Sequence, residues 1–230
     1  AESQLKTILS KFKYEVFYKT KQLPDIEDLK NFITKINNFR PDLIVAIGGG
    51  AVLDLAKVSN SLHNCENLEE SIKNSSNELN NFCELIAIPT TAGSGAETTS
   101  NAVMYINKIK YSVEGKEIKP NYIIIDPNLI LSTPKLIAAA SGMDAIAQSV
   151  ESLLSKKSTN ESVEYAVQSL KYLLPFFELH INNLNFDAER VQHFTHSGSF
   201  CRAFFKPLNV CALSLSLLFS PSLSLSLSLS

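Results

Sequence analysis

The run DLIVAI, Asp42 to Ile47, places five apolar residues in succession without alternation, and three glycines follow at once. A strand with one solvated face alternates apolar and polar side chains. A strand without alternation is buried on both faces, the condition of a strand inside a parallel sheet. After Gly48, Gly49 and Gly50 the chain continues as AVLDLAKVSNSL, which reads as a helix. Buried strand, tight glycine turn and helix, in that order, point to an α/β architecture with a parallel sheet.

The rest of the chain agrees with this start. ELIAIP (Glu84 to Pro89) and NYIIIDP (Asn121 to Pro127) read as further buried strands, and NAVMYIN with IKYSVEG as strands or a hairpin. In IEDLKNFITKINN, residues 26 to 38, Ile26, Leu29, Ile33 and Ile36 form one helical stripe. Residues 64 to 81 are polar and rich in Asn and Ser, the composition of a surface excursion. At Ser132, Thr133 and Pro134 the character changes: a hydroxyl cap and a first-turn proline open helical patterns that continue to about Glu178. The expected organisation is an α/β nucleotide-binding domain over 1–133, the start of an all-α domain over 134–190, and an unmatched segment over 191–230.

Composition removes several function classes. Lys plus Arg number 21 and Asp plus Glu 23, the net charge is −2, and no basic block occurs, so nucleic acid is not expected as a partner. No apolar run is long enough to span a bilayer. The four cysteines form no Cys-x-x-Cys pair, which fits free thiols in a reducing, cytoplasmic setting. The N-terminal stretch has no long apolar core of the signal-peptide kind and no initiator Met, so preceding residues are expected to be absent. The final stretch, ALSLSLLFSPSLSLSLSLS, alternates Leu and Ser almost throughout. It has three readings: a non-native tail from a gene-model or frameshift error, since a translated CT-dinucleotide repeat gives Leu-Ser-Leu-Ser, a disordered tail, or a packed amphipathic strand. The first is the expectation.

Three places carry candidate chemistry. Gly48, Gly49 and Gly50 lie where backbone N–H groups at a helix N-terminus can seat a phosphate. The motif is neither G-x-G-x-x-G nor a P-loop, and a plain tight turn is the competing reading. PTTAGSGAETTS, Pro89 to Ser100, follows another buried strand; Thr90, Thr91, Ser94 and Thr99 can donate to phosphate, ribose or a carboxamide. The alternative is a Ser/Thr-rich connection. In SGMDAIAQSVES, Asp144 and Gln148 are four apart and share a helix face. They are either part of a metal site or an ordinary helix start whose carboxylate favours the helix dipole.

GGGAVLDLAK, PTTAGSGAETT, IIIDPNLILSTP and SGMDAIAQSVES occur in the order and approximate spacing of the iron-containing (group III) alcohol dehydrogenases, which residues 12 to 180 or so resemble. The pairing of GMDAIAQSVES with STNESVEYA looks most like the phosphonoacetaldehyde reductase branch. The resemblance implies a Rossmann-like NAD- or NADP-binding domain followed by a helical metal-binding domain, here truncated at both ends. It matches Gly49 and Gly50 to pyrophosphate-contacting glycines. Ala51 stands where the family usually has Ser. Asp54 and Lys57 match polar positions of the following helix, with a solvated helix face as the alternative. Thr90, Thr91, Ser94 and Thr99 match the second cofactor loop, and Lys110 resembles a lysine near the cofactor or, equally, an exposed strand lysine.

The family holds Fe²⁺, sometimes Zn²⁺, with one Asp and three His, and the metal polarises the substrate oxygen during hydride transfer. Asp144 matches the aspartate ligand. Gln148 stands where the family usually has His, although Gln also occurs in the reductase-like branch. The later family histidines have no match: His193 and His196 sit in an unrelated context, and no role is expected for His63 or His180. The implied activity is an NAD(P)- and metal-dependent alcohol dehydrogenase or aldehyde reductase acting on a small alcohol or aldehyde, with a homo-oligomer possible. The alternatives are an inactive nucleotide-binding fragment or pseudoenzyme, and a glycerol dehydrogenase- or dehydroquinate synthase-like enzyme.

Overall fold

A computed structural model describes residues 9–74, 79–131, 133–182 and 225–229, with side chains described as far as 175. They divide into two compact units. One comprises residues 9–88, 100–124 and 225–229, the other 89–99 and 125–182.

The first unit is built on a five-stranded sheet whose strands, in spatial order, are β1 (Tyr14–Tyr18), β7 (Leu225–Leu229), β2 (Leu43–Gly48), β3 (Glu84–Pro89) and β6 (Tyr122–Ile123). Strand β1 (Tyr14–Tyr18) and strand β2 (Leu43–Gly48) are joined through helix α1 (Ile26–Phe39). Every residue of β2 is buried, as its lack of alternation requires. Asp25 caps α1, accepting from Asp28 N at 2.9 Å, an interaction typically contributing about 1 kcal/mol. The helix ends at Arg40, whose φ of 52° is left-handed and whose N–H donates to Ile36 O. Leu29, Ile33 and Ile36 are buried as the stripe predicts, but Phe32 is buried with them and Ile26 only partly. The Phe32 ring stacks on Phe17 of β1 at 4.5 Å. Strand β1 was not apparent from periodicity, because its residues are half-buried without alternation.

Helix α2 (Gly50–Ser61) is buried continuously from Val52 to Ser61 and packs against β2, α1 and the later strand β4 (Asn101–Ile106). Its polar residues serve the chain around it. Asn60 donates to Cys83 O and accepts from Phe82 N and Cys83 N, which fixes the entry to β3 (Glu84–Pro89). Ser61 Oγ lies 2.7 Å from Asn81 Oδ1. The polar excursion contains a short helix, α3 (Leu68–Asn74), that buries Leu68, Ser71 and Ile72. β4 and β5 (Ile109–Glu114) form an antiparallel hairpin, turned by Asn107 and Lys108 at φ 51° and 67°. The expected third buried strand is shorter than its apolar run: only Tyr122–Ile123 forms β6, parallel to β3, and a 3₁₀ turn capped by Asp126 follows at Pro127–Leu129.

Five residues of the Leu-Ser repeat, Leu225–Leu229, form β7. It lies between β1 and β2 and runs parallel to both, with Tyr14, Leu225 and Leu43 at one end of the register and Tyr18, Leu229 and Ile47 at the other. A packed strand is one of the three readings that the repeat allowed.

The second unit centres on α4 (Lys135–Leu154) and α5 (Asn160–Asn182). Small buried residues line their contact: Ala145, Ser149 and Ser152 on α4, Ala166 and Ser169 on α5. Ser149 Oγ donates to Ala145 O at 2.7 Å and meets Ser169 Oγ at 3.1 Å, so these two seam hydroxyls are satisfied internally. The expected hydroxyl cap is replaced. Pro134 occupies the N-cap position without a side-chain bond, and Thr133 Oγ1 donates instead to Thr90 O at 3.1 Å. Among the described residues no helix is long and apolar enough to cross a membrane.

Candidate functional site

The glycine turn begins where β2 ends. Gly48 is its last residue, and Gly49 caps α2 in an extended conformation, φ −74° and ψ 179°. Its carbonyl accepts from Val52 N at 2.9 Å and Leu53 N at 3.2 Å. No side chain caps this helix and its first turn holds no carboxylate. The N–H groups of Gly50 and Ala51 precede any acceptor of their own helix, and the helix dipole makes that end positive. Gly48 is buried, while Gly49, Gly50 and Ala51 are partly open. The turn therefore combines a bare helix N-terminus, partial access and no competing anion.

Asp54 and Lys57 do not form a solvated helix face. Both are buried, with side chains 11% and 0% exposed and Lys57 Nζ 3.8 Å from Asp54 Oδ1. Asp54 Oδ2 accepts from Val103 N at 3.0 Å, and Lys57 Nζ donates to Asn101 O at 2.6 Å. Two charged side chains of α2 thus bond the backbone of β4. This is a structural clamp behind the glycine turn, with Lys57 fully withdrawn from the surface and Asp54 nearly so. Lys110 stands near the tip of the hairpin, paired with Tyr105 in the ladder and exposed.

In the second unit the loop after β3 packs on α4. Gly93 adopts φ +144°, and a Cβ there would meet Ser141 O at 1.9 Å and Ser141 C at 2.6 Å. Backbone thus rests directly on backbone, three residues before Asp144. Ala92 packs beside it, with Ile146, against the buried pair Ala145 and Leu173. The loop's polar groups divide into two sets. Thr98 and Thr99 turn inward, donating to Gly95 O at 2.9 Å and Ala96 O at 3.4 Å, and Thr99 is buried. Thr90, Thr91 and Ser94 remain partly accessible, although Ser94 Oγ also accepts from Ala96 N at 3.4 Å. Glu97 is 2% exposed, an acid that sequence reasoning did not single out. Gly93 was missed as well: its letter was visible in AGSG, but its positive φ and its neighbour were not.

Asp144 and Gln148 lie in the middle of α4, one turn apart. The helix begins nine residues before Asp144, so stabilisation of a first-turn carboxylate by the dipole does not account for it. Asp144 is exposed; Gln148 is half-buried with its Nε2 sealed from solvent. Among the described residues no three His, Cys, Asp or Glu side chains gather as a metal cluster. One carboxylate and one neutral amide are too few donors to hold Fe²⁺ or Zn²⁺. His63 is structural: Nδ1 lies 3.1 Å from Asn60 O and its ring meets Phe82 edge-on at 5.1 Å. His193 and His196 lie outside the described residues, as does the side chain of His180.

A profile of the family described as iron-containing alcohol dehydrogenase matches residues 2–127, more than half of the chain. An alcohol dehydrogenase of Thermococcus barophilus is 33% identical over 114 residues, covering 45% of this chain and 29% of that protein. An alcohol dehydrogenase structure from Oenococcus oeni superposes with a TM-score of 0.77 at 26% identity, covering 87% of this chain and 53% of that one. The sulfoacetaldehyde reductase of Bifidobacterium kashiwanohense, solved in complex with NAD⁺, superposes with a TM-score of 0.75 at 19% identity, covering 86% of this chain and 60% of that one. The chain thus spans less than two thirds of each of these proteins.

Proposed function

The chain belongs to the iron-containing alcohol dehydrogenase family, and on that premise we propose that it binds NAD(P) at its glycine turn and serves hydride transfer between the nicotinamide and a small alcohol or aldehyde. The observation that carries this reading is the bare N-cap at Gly49, at the carboxyl end of a buried strand, with no carboxylate in the first turn of α2. The backbone of Gly49 to Ala51 would hold the pyrophosphate. Ala51 contributes backbone only. When bound, the nicotinamide supplies the hydride acceptor or donor. The clamp from Asp54 and Lys57 to β4 keeps the helix terminus in place, a positioning role without contact to the ligand.

Titration of the full chain with NAD(H) and NADP(H) by calorimetry tests this. Saturable binding by one of the two is expected. Gly49→Asp is the informative variant. Its extended backbone suits any residue, and Asp is a favoured N-cap, so α2 remains at least as stable. The carboxylate occupies the anion seat, and binding is expected to fall by about tenfold or more, since one displaced charge-assisted bond is worth about 1.5–3 kcal/mol. Unchanged affinity in this variant would refute the glycine turn as the seat.

A second reading is nucleotide binding without turnover: Gln148, one turn from Asp144, offers a neutral amide, a poorer ligand for Fe²⁺ or Zn²⁺ than imidazole. Metal analysis together with an aldehyde-reductase assay separates the two. Stoichiometric iron with turnover would eliminate the inactive reading; nucleotide binding without either would support it.

A further inference from the structure

The position of β7 turns the sheet of the first unit into a receptor. β1 and β2 are parallel, joined through α1, and not paired to each other; β7 stands between them. Neighbouring strands lie about 4.8 Å apart, so β1 and β2 are about 9.6 Å apart, the width of one strand. Without an occupant, each would leave a row of N–H and C=O groups unpaired, a costly condition beside the buried β2. The sheet therefore needs a parallel strand in this slot, and the last described residues of the chain supply it.

The occupant is weakly specified. From Ser222 to Ser230 the sequence alternates Ser and Leu without a break. The rows of the register are Tyr14–Leu225–Leu43, Glu15–Ser226–Ile44, Val16–Leu227–Val45, Phe17–Ser228–Ala46 and Tyr18–Leu229–Ile47. A slip of one residue exchanges every Leu row for a Ser row; a slip of two restores the same pattern. The slot thus selects direction but has little means of selecting one register. The same argument covers the source of the strand. β7 engages β1 and β2 along its whole length through backbone pairing, and a repeat from another molecule makes identical bonds.

We propose that the slot between β1 and β2 is a strand-acceptor site for parallel, alternating Leu-Ser segments, and that the repeat of a second copy of this chain occupies it in exchange with the chain's own. The consequence is concentration-dependent self-association by strand exchange. The occupant seen in the register defines the ligand class: an extended peptide with leucine at every second residue.

The test uses the full chain, a fluorescein-labelled peptide of sequence SLSLSLSLS matching residues 222–230, and a composition-matched peptide, LLLLSSSSS, in which the alternation is lost. Sedimentation velocity across a concentration series is expected to show dimers that grow with concentration and dissolve when excess repeat peptide is added. Leu227→Pro removes the central N–H from the ladder, so the chain's own strand competes less. That variant is expected to lose the dimer and to bind the repeat peptide about tenfold more tightly, the worth of one or two ladder bonds. If the variant folds poorly, refolding with the repeat peptide is expected to restore hydrogen-exchange protection at β1 and β2. The proposal is overturned by a chain that stays monomeric throughout, by equal binding of the two peptides, or by a Leu227→Pro chain that gains neither peptide affinity nor protection.

Discussion

Replacing Gly93 by alanine tests the contact that places the loop on α4. Two outcomes compete. If the loop stays docked, the added Cβ sits 1.9 Å from a backbone oxygen at φ +144°. Holding a non-glycine residue there costs about 1–3 kcal/mol, and the overlap with an unyielding backbone about 1–3 more. If the loop lets go, it forfeits the Thr133–Thr90 hydrogen bond, about 1 kcal/mol, and the packing of Ala92, also about 1 kcal/mol. Release is the cheaper course, so Gly93→Ala is expected to cost about 2 kcal/mol and to free residues 90 to 99 from their helix. Peptide-resolved hydrogen exchange reads the second effect directly, and urea denaturation the first. Gly115→Ala is the control. Gly115 is extended, and its new Cβ would meet Leu79 Cδ1, the mobile end of a side chain, so a loss of about 0.5–1.5 kcal/mol is expected. A Gly93→Ala chain that stays within about 0.5 kcal/mol of the parent, a typical surface effect, with loop amides equally protected, would refute the reasoning.

Other perturbations test different parts of the molecule. Lys57→Met leaves Asp54 buried without its ammonium and should cost about 3–5 kcal/mol in chemical denaturation, with faster exchange in the hairpin β4–β5; a loss below about 1 kcal/mol would deny the clamp. Burial pushes the Cys83 thiol up to about 12, so the folded state keeps a proton that the unfolded chain sheds from about pH 9. The contribution is complete below pH 9 and declines toward pH 12 by about 1.4 kcal/mol per unit, so Cys83→Ala should show a shallower alkaline loss of stability than the parent. Gln148→His exchanges a neutral amide for an imidazole one turn from Asp144 and should tighten Co²⁺ binding, followed by the cobalt d–d absorption; an unchanged titration would remove α4 from the metal reading.

The parts that were legible in the sequence are those fixed by local physics. DLIVAIGGG reads as a buried strand and glycine turn because burial on both faces removes alternation and because helix N-termini tolerate glycine. The β4–β5 hairpin, one of two readings open for NAVMYIN and IKYSVEG, and the stripe on α1 are equally local. The destination of charged side chains was not legible. Asp54 and Lys57 sit on a helix whose every face is covered, and only the approach of β4, about fifty residues later, shows that they bond backbone there. Strand β6 fell short of its apolar run because pairing with β3, and not hydrophobicity, sets strand length. The Leu-Ser repeat could be seen as a strand by pattern, but its partners could not: nothing local to LSLSL names β1 and β2.

The composition of the chain changes at residue 133, yet the loop 89–99 keeps company with the helices and not with the strands on either side of it. Its hydroxyls make it look like a cofactor loop, and its glycine makes it a docking element. The two roles are compatible because they use different atoms. Gly93 and Ala92 hold the loop by close packing, while Thr90, Thr91 and Ser94 keep partly accessible hydroxyls. A loop held only by those hydroxyls would lose its anchor on giving them to a ligand. Held by Gly93 against Ser141, it can give them to a ligand and stay docked on α4, three residues before Asp144. The hydroxyls and the docking should therefore separate in mutants: by hydrogen exchange, Thr91→Val should leave residues 90 to 99 protected, whereas Gly93→Ala should free them.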